Sequence, residues 1–523
     1  MQQKISLKLL PSEAADDQVI KKSLSQSIGI PQDRISGFTI NKRSIDARGK
    51  QPWINLTLTS FIDEPFHYTR DLVPLELKDV KQSDTRVVII GAGPAGLFTA
   101  MRLIEHGIKP VVLERGKDVR ARRRDLAAIN KEGVVNPESN YCFGEGGAGT
   151  YSDGKLYTRS NKRGNIDRIL NILVHFGASE SILSDAHPHI GTNKLPHIIT
   201  AIREKIIECG GEVLFEKKVT DFHIIEGSIK GVQCSDGDSV RGDAVVLATG
   251  HSARDIFELL HAKKILIEPK PFALGVRVEH PQALIDSIQY HCPSRGEYLP
   301  PASYSLVQQV QGKGVFSFCM CPGGIIAPAA TNPNEIVVNG WSPSKRNNPY
   351  ANSGIVVTVD EKNIAPFKSH GPLAAMYFQQ SVEQKAFEIG GGKLVAPAQR
   401  MADFTKNIVS SNLPDCSYLP GIHSANLKEV LPPFILHSLQ GAFIEFGKKM
   451  KGYLTNEAVV VATESRTSSP VRIPREEESL EHPQIKKLFP CGEGAGYAGG
   501  IVSAAMDGER IANRIAVITG KAK

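Results

Sequence analysis

The chain has 523 residues, of which 41% are hydrophobic and 22% are charged, and its formal net charge is +7. This length exceeds one ordinary hydrophobic core, so we expect about two to four domains, and the globular composition excludes a disordered chain. The mild positive charge is compatible with anionic cofactors and is only weak support for nucleic acid as a partner.

Export and membrane insertion are not indicated by any segment. The first 17 residues contain no long apolar stretch. Nowhere do about 18 apolar residues follow one another, as a membrane-spanning helix would require. The eight cysteines are scattered, and their spacing matches neither a disulfide framework nor a zinc site. We therefore expect a cytoplasmic protein without a membrane partner.

Residues 1–80 are predicted to form a small α+β domain. The pattern indicates a strand over residues 4–10, then a helix with Ser12 as its N-cap, and two further strands that begin near Ile35 and Ile54. The predicted element order is β-α-β-β. Polar residues follow and are interpreted as a linker.

A dinucleotide-binding βαβ unit is predicted next. Residues 87–90 form a continuous apolar run, typical of a strand buried on both faces of a parallel sheet. A helix follows and ends at Gly107, and residues 111–113 form the next strand. The turn between the first strand and the helix reads Gly-Ala-Gly-Pro-Ala-Gly over residues 91–96.

Each part of this G-x-G-x-x-G motif has a physical task. Gly91 permits the tight turn, Gly93 lets a pyrophosphate approach the backbone, and Gly96 lets helix and strand pack closely. The helix N-terminus offers N–H groups and partial positive charge to the phosphates. Glu114, at the end of the second strand, can accept hydrogen bonds from a ribose diol. The motif alone does not choose between FAD and NAD.

Two later segments favour FAD. Residues 245–250 form a buried strand that ends in Ala-Thr-Gly, and residues 488–493 form a strand and a Gly-Glu turn that lead to a glycine pair and a final helix. With these segments the sequence resembles the flavoproteins that have a glutathione-reductase-like FAD domain. Glu493 stands where that family usually has Asp.

The resemblance implies a place for each segment. The Ala-Thr-Gly strand end would pack near the cofactor, and the Gly-Glu turn would hold the ribityl and pyrophosphate groups. The final helix would face the flavin ring with its N-terminus at Gly500 and Ile501. Such a helix end stabilises negative charge on reduced flavin, which favours hydride acceptance.

Three further segments, over residues 144–156, 270–277 and 318–324, make the resemblance more specific. Over nearly its whole length the sequence resembles bacterial proteins described as FAD-dependent or NAD(FAD)-utilizing dehydrogenases. That resemblance implies a FAD domain in discontinuous segments and an inserted substrate domain, and it implies no particular substrate.

We therefore predict an α/β protein of three parts. A small N-terminal α+β domain of residues 1–80 precedes a Rossmann-type, glutathione-reductase-like FAD domain formed by residues 84–269 and 476–523. A β-rich substrate or cap domain of residues 270–475 interrupts the FAD domain.

The glycine-rich loop over residues 144–154 is interpreted as a cofactor loop whose backbone N–H groups reach the flavin or its phosphates, a flexible surface loop being the alternative. The candidate FAD-binding residues are Gly91, Gly93, Pro94, Ala95, Gly96, Glu114, Arg115, Gly146, Gly147, Gly149, Thr150, Val219, Ala248, Thr249, Gly250, Gly492, Glu493, Gly499, Gly500 and Ile501.

Two basic clusters have alternative interpretations. The segment over residues 41–50 is interpreted as a solvated hairpin connection, with docking as the alternative. Arg120, Arg122, Arg123 and Arg124 are interpreted as a solvated helix face. Their alternative role is contact with cofactor phosphates or with the 2′-phosphate of a nicotinamide nucleotide.

Cys319 and Cys321 are the only close cysteine pair in the sequence. A Cys-x-Cys spacing is poor for a relaxed disulfide, so buried and inert thiols are favoured over a redox role. Cys142, the first cysteine after the glycine motif, has no partner nearby. This argues against a flavin-linked disulfide reductase of the glutathione-reductase kind.

Other polar candidates remain ambiguous. His187 and His189 have no identifiable third ligand, so no metal site is predicted and a structural role is favoured over contact near the flavin or substrate. Lys155, Arg277 and Arg466 could anchor an anionic substrate or equally form surface ion pairs.

The sequence does not indicate a second nucleotide-binding domain. The three glycines at residues 390–392 follow a helix and are interpreted as its C-cap. NAD(P)H is therefore expected only as a transiently docking electron donor.

The predicted function is hydride transfer between FAD N5 and an unidentified small organic substrate. Neither a catalytic residue nor the oligomeric state is indicated. The alternatives are an RNA-modifying flavoenzyme, supported only by the basic clusters, and a non-catalytic flavin-binding protein.

Overall fold

The computed structural model describes residues 1–67, 72, 74–158 and 164–522. It begins with an antiparallel sheet in the strand order β1-β3-β2. Its elements are β1 (Gln2–Leu9), α1 (Asp17–Ile28), β2 (Ile35–Asp46) and β3 (Trp53–Ile62). The predicted β-α-β-β order is confirmed. Alternate residues of β3 are buried, as expected for a strand with one face on a core.

Two expectations for this region were wrong in detail. The helix starts at Asp17, because Asp16 and not Ser12 caps it by accepting the N–H of Gln18 at 2.8 Å. Residues 41–46 are not part of a loop. They continue β2, since Arg43 pairs with Leu56 of β3 in the ladder.

The chain then forms alternating strands and helices, followed by a small antiparallel sheet in the order β7-β8-β9. These elements are β4 (Arg86–Ile90), α2 (Pro94–Glu105), β5 (Lys109–Leu113), α3 (Val119–Lys131), α4 (Ile166–His175), α5 (Leu195–Glu208), β6 (Glu212–Leu214), β7 (Val219–Ile225), β8 (Ser228–Cys234), β9 (Ser239–Arg241), β10 (Ala244–Leu247) and α6 (Arg254–Ala262).

A large mixed sheet follows, with the strand order β13-β14-β17-β12-β20-β18-β19, and β11-β21 and β15-β16 form short ladders beside it. The elements are β11 (Glu268–Pro269), β12 (Phe272–Pro281), α7 (Gln282–Tyr290), β13 (Val307–Val310), β14 (Lys313–Cys321), β15 (Ile325–Pro328), β16 (Val338–Trp341), β17 (Tyr350–Val359), α8 (Ala374–Gly390), β18 (Ala396–Arg400), α9 (Met401–Thr405), β19 (Ile422–Ser424), α10 (Pro433–Lys449), β20 (Val459–Glu464) and β21 (Val471–Arg472).

The end of the chain returns to the first sheet through β22 (Leu488–Pro490) and α11 (Ile501–Ile518). The complete parallel sheet has the order β22-β10-β4-β5-β6. The carboxyl ends of β4, β10 and β22 therefore meet at one edge, which is where open α/β sheets bind ligands. This Rossmann-type α/β architecture confirms the predicted fold class. The domain boundaries assigned from the sequence stay a prediction.

No helix within the described ranges is both long and apolar enough to cross a membrane.

Candidate functional site

A cavity of about 380 Å³ lies at the carboxyl edge of the parallel sheet. This volume is within the usual range for small-molecule sites. Most of the candidate FAD-binding residues line it, namely Gly91, Gly93, Pro94, Ala95, Glu114, Arg115, Gly147, Gly149, Val219, Ala248, Thr249, Gly250, Glu493, Gly499, Gly500 and Ile501.

The four other candidates, Gly96, Gly146, Thr150 and Gly492, are not part of the lining. Two of them bond to the backbone next to the lining. Gly146 donates its N–H to the Ala92 carbonyl at 2.8 Å. The Thr150 hydroxyl donates to a loop carbonyl at 2.7 Å.

The glycine motif has the geometry that its spacing predicts. Gly91 has a φ of +106°. A Cβ on Gly96 would stand 2.0 Å from the Gly91 carbonyl oxygen, so only glycine fits there. Gly93 differs, since a Cβ there would meet no atom within 4 Å. Gly93 therefore faces open space at the N-terminus of α2.

The Ala-Thr-Gly end of β10 packs directly beneath this turn. A Cβ on Gly91 would stand 2.4 Å from the Ala248 carbonyl oxygen. The next residue, Thr249, lines the cavity, and its buried hydroxyl has no hydrogen-bond partner among the described residues. A buried hydroxyl without a partner costs free energy, so a ligand atom in the cavity would stabilise it.

The Glu114 carboxylate accepts three hydrogen bonds from backbone N–H groups. It is 4% exposed. Its Oε1 accepts the N–H groups of Gly116 and Gly144 at 2.9 Å, and its Oε2 accepts the Ala92 N–H at 2.9 Å. Each carboxylate oxygen has two lone pairs, so Oε2 keeps one for a hydroxyl donor. Glu114 thus organises the turn, and its ribose contact stays a prediction.

Arg122 holds the glycine-rich loop from behind. Its guanidinium is fully buried. Nε donates to the Asn140 carbonyl and Nη1 to the Glu145 carbonyl, both at 2.8 Å. Nη2 donates to the carbonyls of Tyr141 at 3.0 Å and Gly147 at 2.9 Å. Both interpretations offered for Arg122, a solvated face and a phosphate contact, were therefore wrong.

The other members of the basic cluster, Arg120, Arg123 and Arg124, are exposed as a solvated face should be. Helical spacing could have separated them from Arg122. Arg122, Leu126 and Ile129 follow the i, i+4, i+7 pattern, and all three are buried.

The loop over residues 144–154 joins the starts of two helices. A Cβ on Gly147 would stand 3.2 Å from the Gly93 Cα. A Cβ on Gly149 would stand 3.3 Å from Pro94 and 3.4 Å from Ile501. This loop is therefore a wall of the cavity.

Three protein-family models match parts of this chain. A family described as FAD binding domain matches residues 84–128, and one described as FAD-dependent protein, C-terminal domain-like, matches residues 271–467. A domain of unknown function, DUF8436, matches residues 1–61. An uncharacterized protein from Clostridium beijerinckii is 39% identical over 518 residues, which cover 96% of this chain and 96% of that protein. The chain belongs to the same family of FAD-dependent proteins.

More distant similarities were also found. A thiamine thiazole synthase from Aeropyrum pernix is 26% identical over 191 residues, which cover 34% of this chain and 58% of that enzyme. The flavin-dependent brominase Bmp2 has a TM-score of 0.37 at 13% identity, covering 83% of this chain and 80% of the brominase. A glycine oxidase from Bacillus cereus has a TM-score of 0.31 at 13% identity, covering 84% and 96% of the two chains. These two structural likenesses are too weak to support conclusions.

The cavity of this FAD-dependent protein has the features that FAD requires. The N-termini of α2 and α11 both line it, and no described side chain caps either helix. Uncapped N–H groups and the positive end of the helix dipole suit a pyrophosphate or an electron-rich ring edge. Open space at Gly93 and the partnerless Thr249 hydroxyl add room and a hydrogen-bond donor.

Four basic side chains lie in the cavity wall, together with the carboxylates of Glu114, Asp153 and Glu493. Arg115, Lys155, Lys217 and Lys218 all line it. All four are paired with carboxylates: for example, Lys218 lies 2.6 Å from Glu138, and Lys217 forms ion pairs with two aspartates. Cationic donors of this kind bind phosphate oxygens strongly.

His251 is a cavity residue that sequence reasoning missed. Its Nδ1 lies 3.4 Å from the Glu493 carboxylate, and its Nε2 lies 3.0 Å from the Arg466 carbonyl oxygen. Because a carbonyl only accepts, Nε2 donates this hydrogen bond, and Nδ1 faces the Glu493 carboxylate. Its position directly after the Ala-Thr-Gly strand end is the signal that could have identified it.

Two of the three proposed substrate anchors are structural. Arg277 is fully buried and lies 2.7 Å from Glu464, and Arg466 is buried and lies 3.0 Å from Glu383. Neither residue lines the cavity or forms a surface ion pair. Of the three, only Lys155 reaches the cavity.

The remaining candidates also have structural positions. His189 Nε2 lies 3.2 Å from the Ser344 carbonyl oxygen, and the His187 ring packs against Tyr157 with centroids 5.0 Å apart. Neither histidine lines the cavity. The glycines at residues 390–392 end α8, with Gly391 at a φ of +94° as its C-cap, as predicted.

Proposed function

We propose that the protein is an FAD-dependent oxidoreductase that transfers a hydride between FAD N5 and a small organic substrate. The observation that carries this proposal is the meeting of two uncapped helix N-termini, those of α2 and α11, in one cavity. Membership of a family of FAD-dependent proteins supports FAD as the cofactor.

In this proposal the two ends of the cavity hold the two halves of FAD. The turn at Gly91 and Gly93 holds the pyrophosphate, and the free lone pair of Glu114 accepts a ribose hydroxyl. Glu493 and the N-terminus of α11 at Ile501 hold the flavin half, in the manner of a glutathione-reductase-like FAD domain. Bound FAD supplies the hydride chemistry, and the protein supplies binding, orientation and electrostatics.

The N-terminus of α11 favours the reduced state of the cofactor. Its dipole places partial positive charge at the helix end that faces the cavity. Gly500, the N-cap, has no side chain to block that end. Negative charge that develops on the flavin during reduction is stabilised there.

The inserted segment over residues 270–475 forms the substrate side. Phe318 and Cys319 of β14 line the same cavity as the cofactor residues. His251 Nδ1 can take or give a proton beside Glu493, so we assign to His251 the proton transfer that accompanies hydride transfer. NAD(P)H would reduce the flavin by transient docking.

Anaerobic spectroscopy tests the proposal. The purified protein is loaded with FAD, and NADH and NADPH are added separately without oxygen. Bleaching of the flavin band with either nucleotide supports the oxidoreductase and identifies its donor. A flavin that stays oxidised with both nucleotides, and with a panel of amines and saturated organic compounds, would contradict the proposal.

A further inference from the structure

Cys319 and Cys321 occupy a bulge of β14 at the cavity wall. The register of β14 against β17 shifts between Phe318 and Cys321. Cys319 has a φ of +46°, a left-handed conformation that is uncommon for a residue other than glycine. Cys319 lines the cavity, whereas Cys321 is fully buried. The expectation of two buried thiols therefore holds only for Cys321.

One lysine contacts both sulfur atoms. Lys155 Nζ lies 3.8 Å from Cys319 Sγ and 3.6 Å from Cys321 Sγ. The ammonium is also 3.0 Å from the carboxylate of Asp153. A cation at this distance favours the thiolate form of a cysteine.

Arg277 supplies a second cation and fixes the bulge. Its Nη2 donates to the Cys319 carbonyl at 2.6 Å and lies 3.9 Å from Cys321 Sγ. The Glu464 carboxylate holds the other end of the guanidinium at 2.7 Å. The backbone around the two cysteines is thus anchored to β12 and β20.

The two sulfurs are not equivalent. The Cys321 side chain lowers the pKa of Cys319, and Lys155 and Arg277 lower it further. The Cys321 thiol donates to the Cys319 carbonyl at 3.2 Å, and the neighbouring Cys319 side chain and burial raise the pKa of Cys321. An accessible sulfur that ionises easily, beside a buried sulfur that keeps its proton, is the arrangement of a redox-active dithiol.

We propose that Cys319 and Cys321 form a second redox centre, a dithiol that closes to a disulfide and exchanges two electrons with FAD. This inference rests on the proposed function, because FAD in the same cavity supplies the electrons. A regular strand would separate the sulfurs of a Cys-x-Cys pair. The bulge removes that regularity: both sulfurs contact the same Lys155 ammonium, and Cys321 Sγ lies 3.2 Å from the Cys319 carbonyl oxygen.

The step balances in atoms and electrons. The sulfur–sulfur bond of the oxidised pair breaks as two electrons arrive from the reduced flavin, which returns to the oxidised state. Cys319 keeps one electron pair as a thiolate beside Lys155. Cys321 takes the proton that the reduced flavin loses and becomes the buried thiol.

The Cys-x-Cys spacing singled out this pair in the sequence, where inert thiols were favoured over a redox role. Cys142, the first cysteine after the glycine motif, lines the cavity without a neighbouring cysteine in the sequence. The dithiol reaches the cavity instead from the inserted sheet, through the pairing of β14 with β17.

A reductive titration tests the dithiol. The FAD-loaded, air-oxidised protein is titrated with dithionite without oxygen while flavin absorbance is followed. The wild type is expected to take up two electrons per FAD beyond those that reduce the flavin. Cys319→Ser and Cys321→Ser should each lose this extra uptake, and Cys292→Ser, a half-buried cysteine outside the cavity, should keep it.

A thiol count on the unfolded protein gives an independent measurement. The chain has eight cysteines, and the air-oxidised wild type should show two thiols fewer than the reduced protein. Equal thiol counts, or equal electron uptake by the wild type and Cys321→Ser, would overturn the dithiol and leave the oxidoreductase intact. A protein that binds no FAD would overturn both proposals.

Discussion

Asp507 of α11 forms a two-pronged ion pair with the guanidinium of Arg475. Oδ1 lies 2.6 Å from Nη2, and Oδ2 lies 3.0 Å from Nη1. Oδ2 also accepts the N–H of Gly492 at 2.8 Å. One carboxylate on the last helix therefore fixes the turn that leads to Glu493 at the cavity wall.

Asp507→Asn should destabilise the protein strongly. The side chains of Asp507 and Arg475 are only 1% and 3% exposed, so the substitution leaves a buried guanidinium without its countercharge. The expected loss in the free energy of unfolding is about 3–5 kcal/mol, measured by denaturant titration. Asp84→Asn is the control, because Asp84 pairs with Lys521 at the surface, and it should unfold like the wild type. Equal free energies of unfolding for Asp507→Asn and Asp84→Asn would contradict a stabilising role of the buried Asp507–Arg475 ion pair.

Two glycine substitutions should separate folding from cofactor binding. Gly96→Ala places a Cβ 2.0 Å from a backbone oxygen and should lower the melting temperature. Gly93→Ala meets no protein atom within 4 Å and should melt like the wild-type apoprotein. It should nevertheless bind FAD at least about tenfold more weakly, because the methyl group occupies the approach of the pyrophosphate. Wild-type FAD affinity in Gly93→Ala would show that the phosphates bind elsewhere.

Lys155→Met should shift the ionisation of Cys319. Removing the ammonium removes one cause of the low Cys319 pKa, so alkylation of the reduced protein by iodoacetamide should move to higher pH. Lys217→Met also loses a cavity cation, but Lys217 pairs with Asp236 and Asp238 and should leave the alkylation profile unchanged. If Lys155→Met and the wild type have the same profile, Lys155 does not stabilise the thiolate.

His280 should make the protein sensitive to acid. It is fully buried with Nε2 at 2.8 Å from the Tyr453 carbonyl oxygen, and burial lowers its pKa to about 4. The unfolded chain binds the proton more readily, so this contribution to stability is present above pH 6.5 and is lost as pH falls toward about 4.

The shift from the ordinary value of 6.5 to about 4 corresponds to about 3 kcal/mol in that window. Between pH 6.5 and pH 4, the free energy of unfolding of the wild type should therefore fall by about 3 kcal/mol more than that of His280→Gln, measured by denaturant titration. The exposed His261→Gln is the control and should follow the wild type. Parallel curves for His280→Gln and the wild type would contradict the burial of a neutral imidazole.

The sequence predicted the strands and turns of the parallel sheet well because their signals are local. The apolar run of β10 and the turn after it can be read directly, and the strand predicted to end in Ala-Thr-Gly overlaps the observed strand over residues 245–247. The start of α1 was misplaced because Ser12 and Asp16 are both good caps, and local propensity does not choose between them.

Long-range partners explain what the sequence did not reveal. Arg277 and Arg466 are buried because Glu464 and Glu383 fold against them, and no periodicity encodes those pairings. The placement of Cys319 depends on a bulge, which one strand read by itself does not display.

Measurement of bound FAD tests the central claim most directly. Wild type and Gly93→Ala are incubated with FAD, freed of unbound cofactor by gel filtration, and compared by visible spectrum and flavin content per chain. The wild type should retain about one FAD per chain with a shifted flavin spectrum, and Gly93→Ala should retain much less while melting like the wild-type apoprotein. Absence of flavin from the wild type, or equal retention by both proteins, would contradict an FAD site at the carboxyl edge of this sheet.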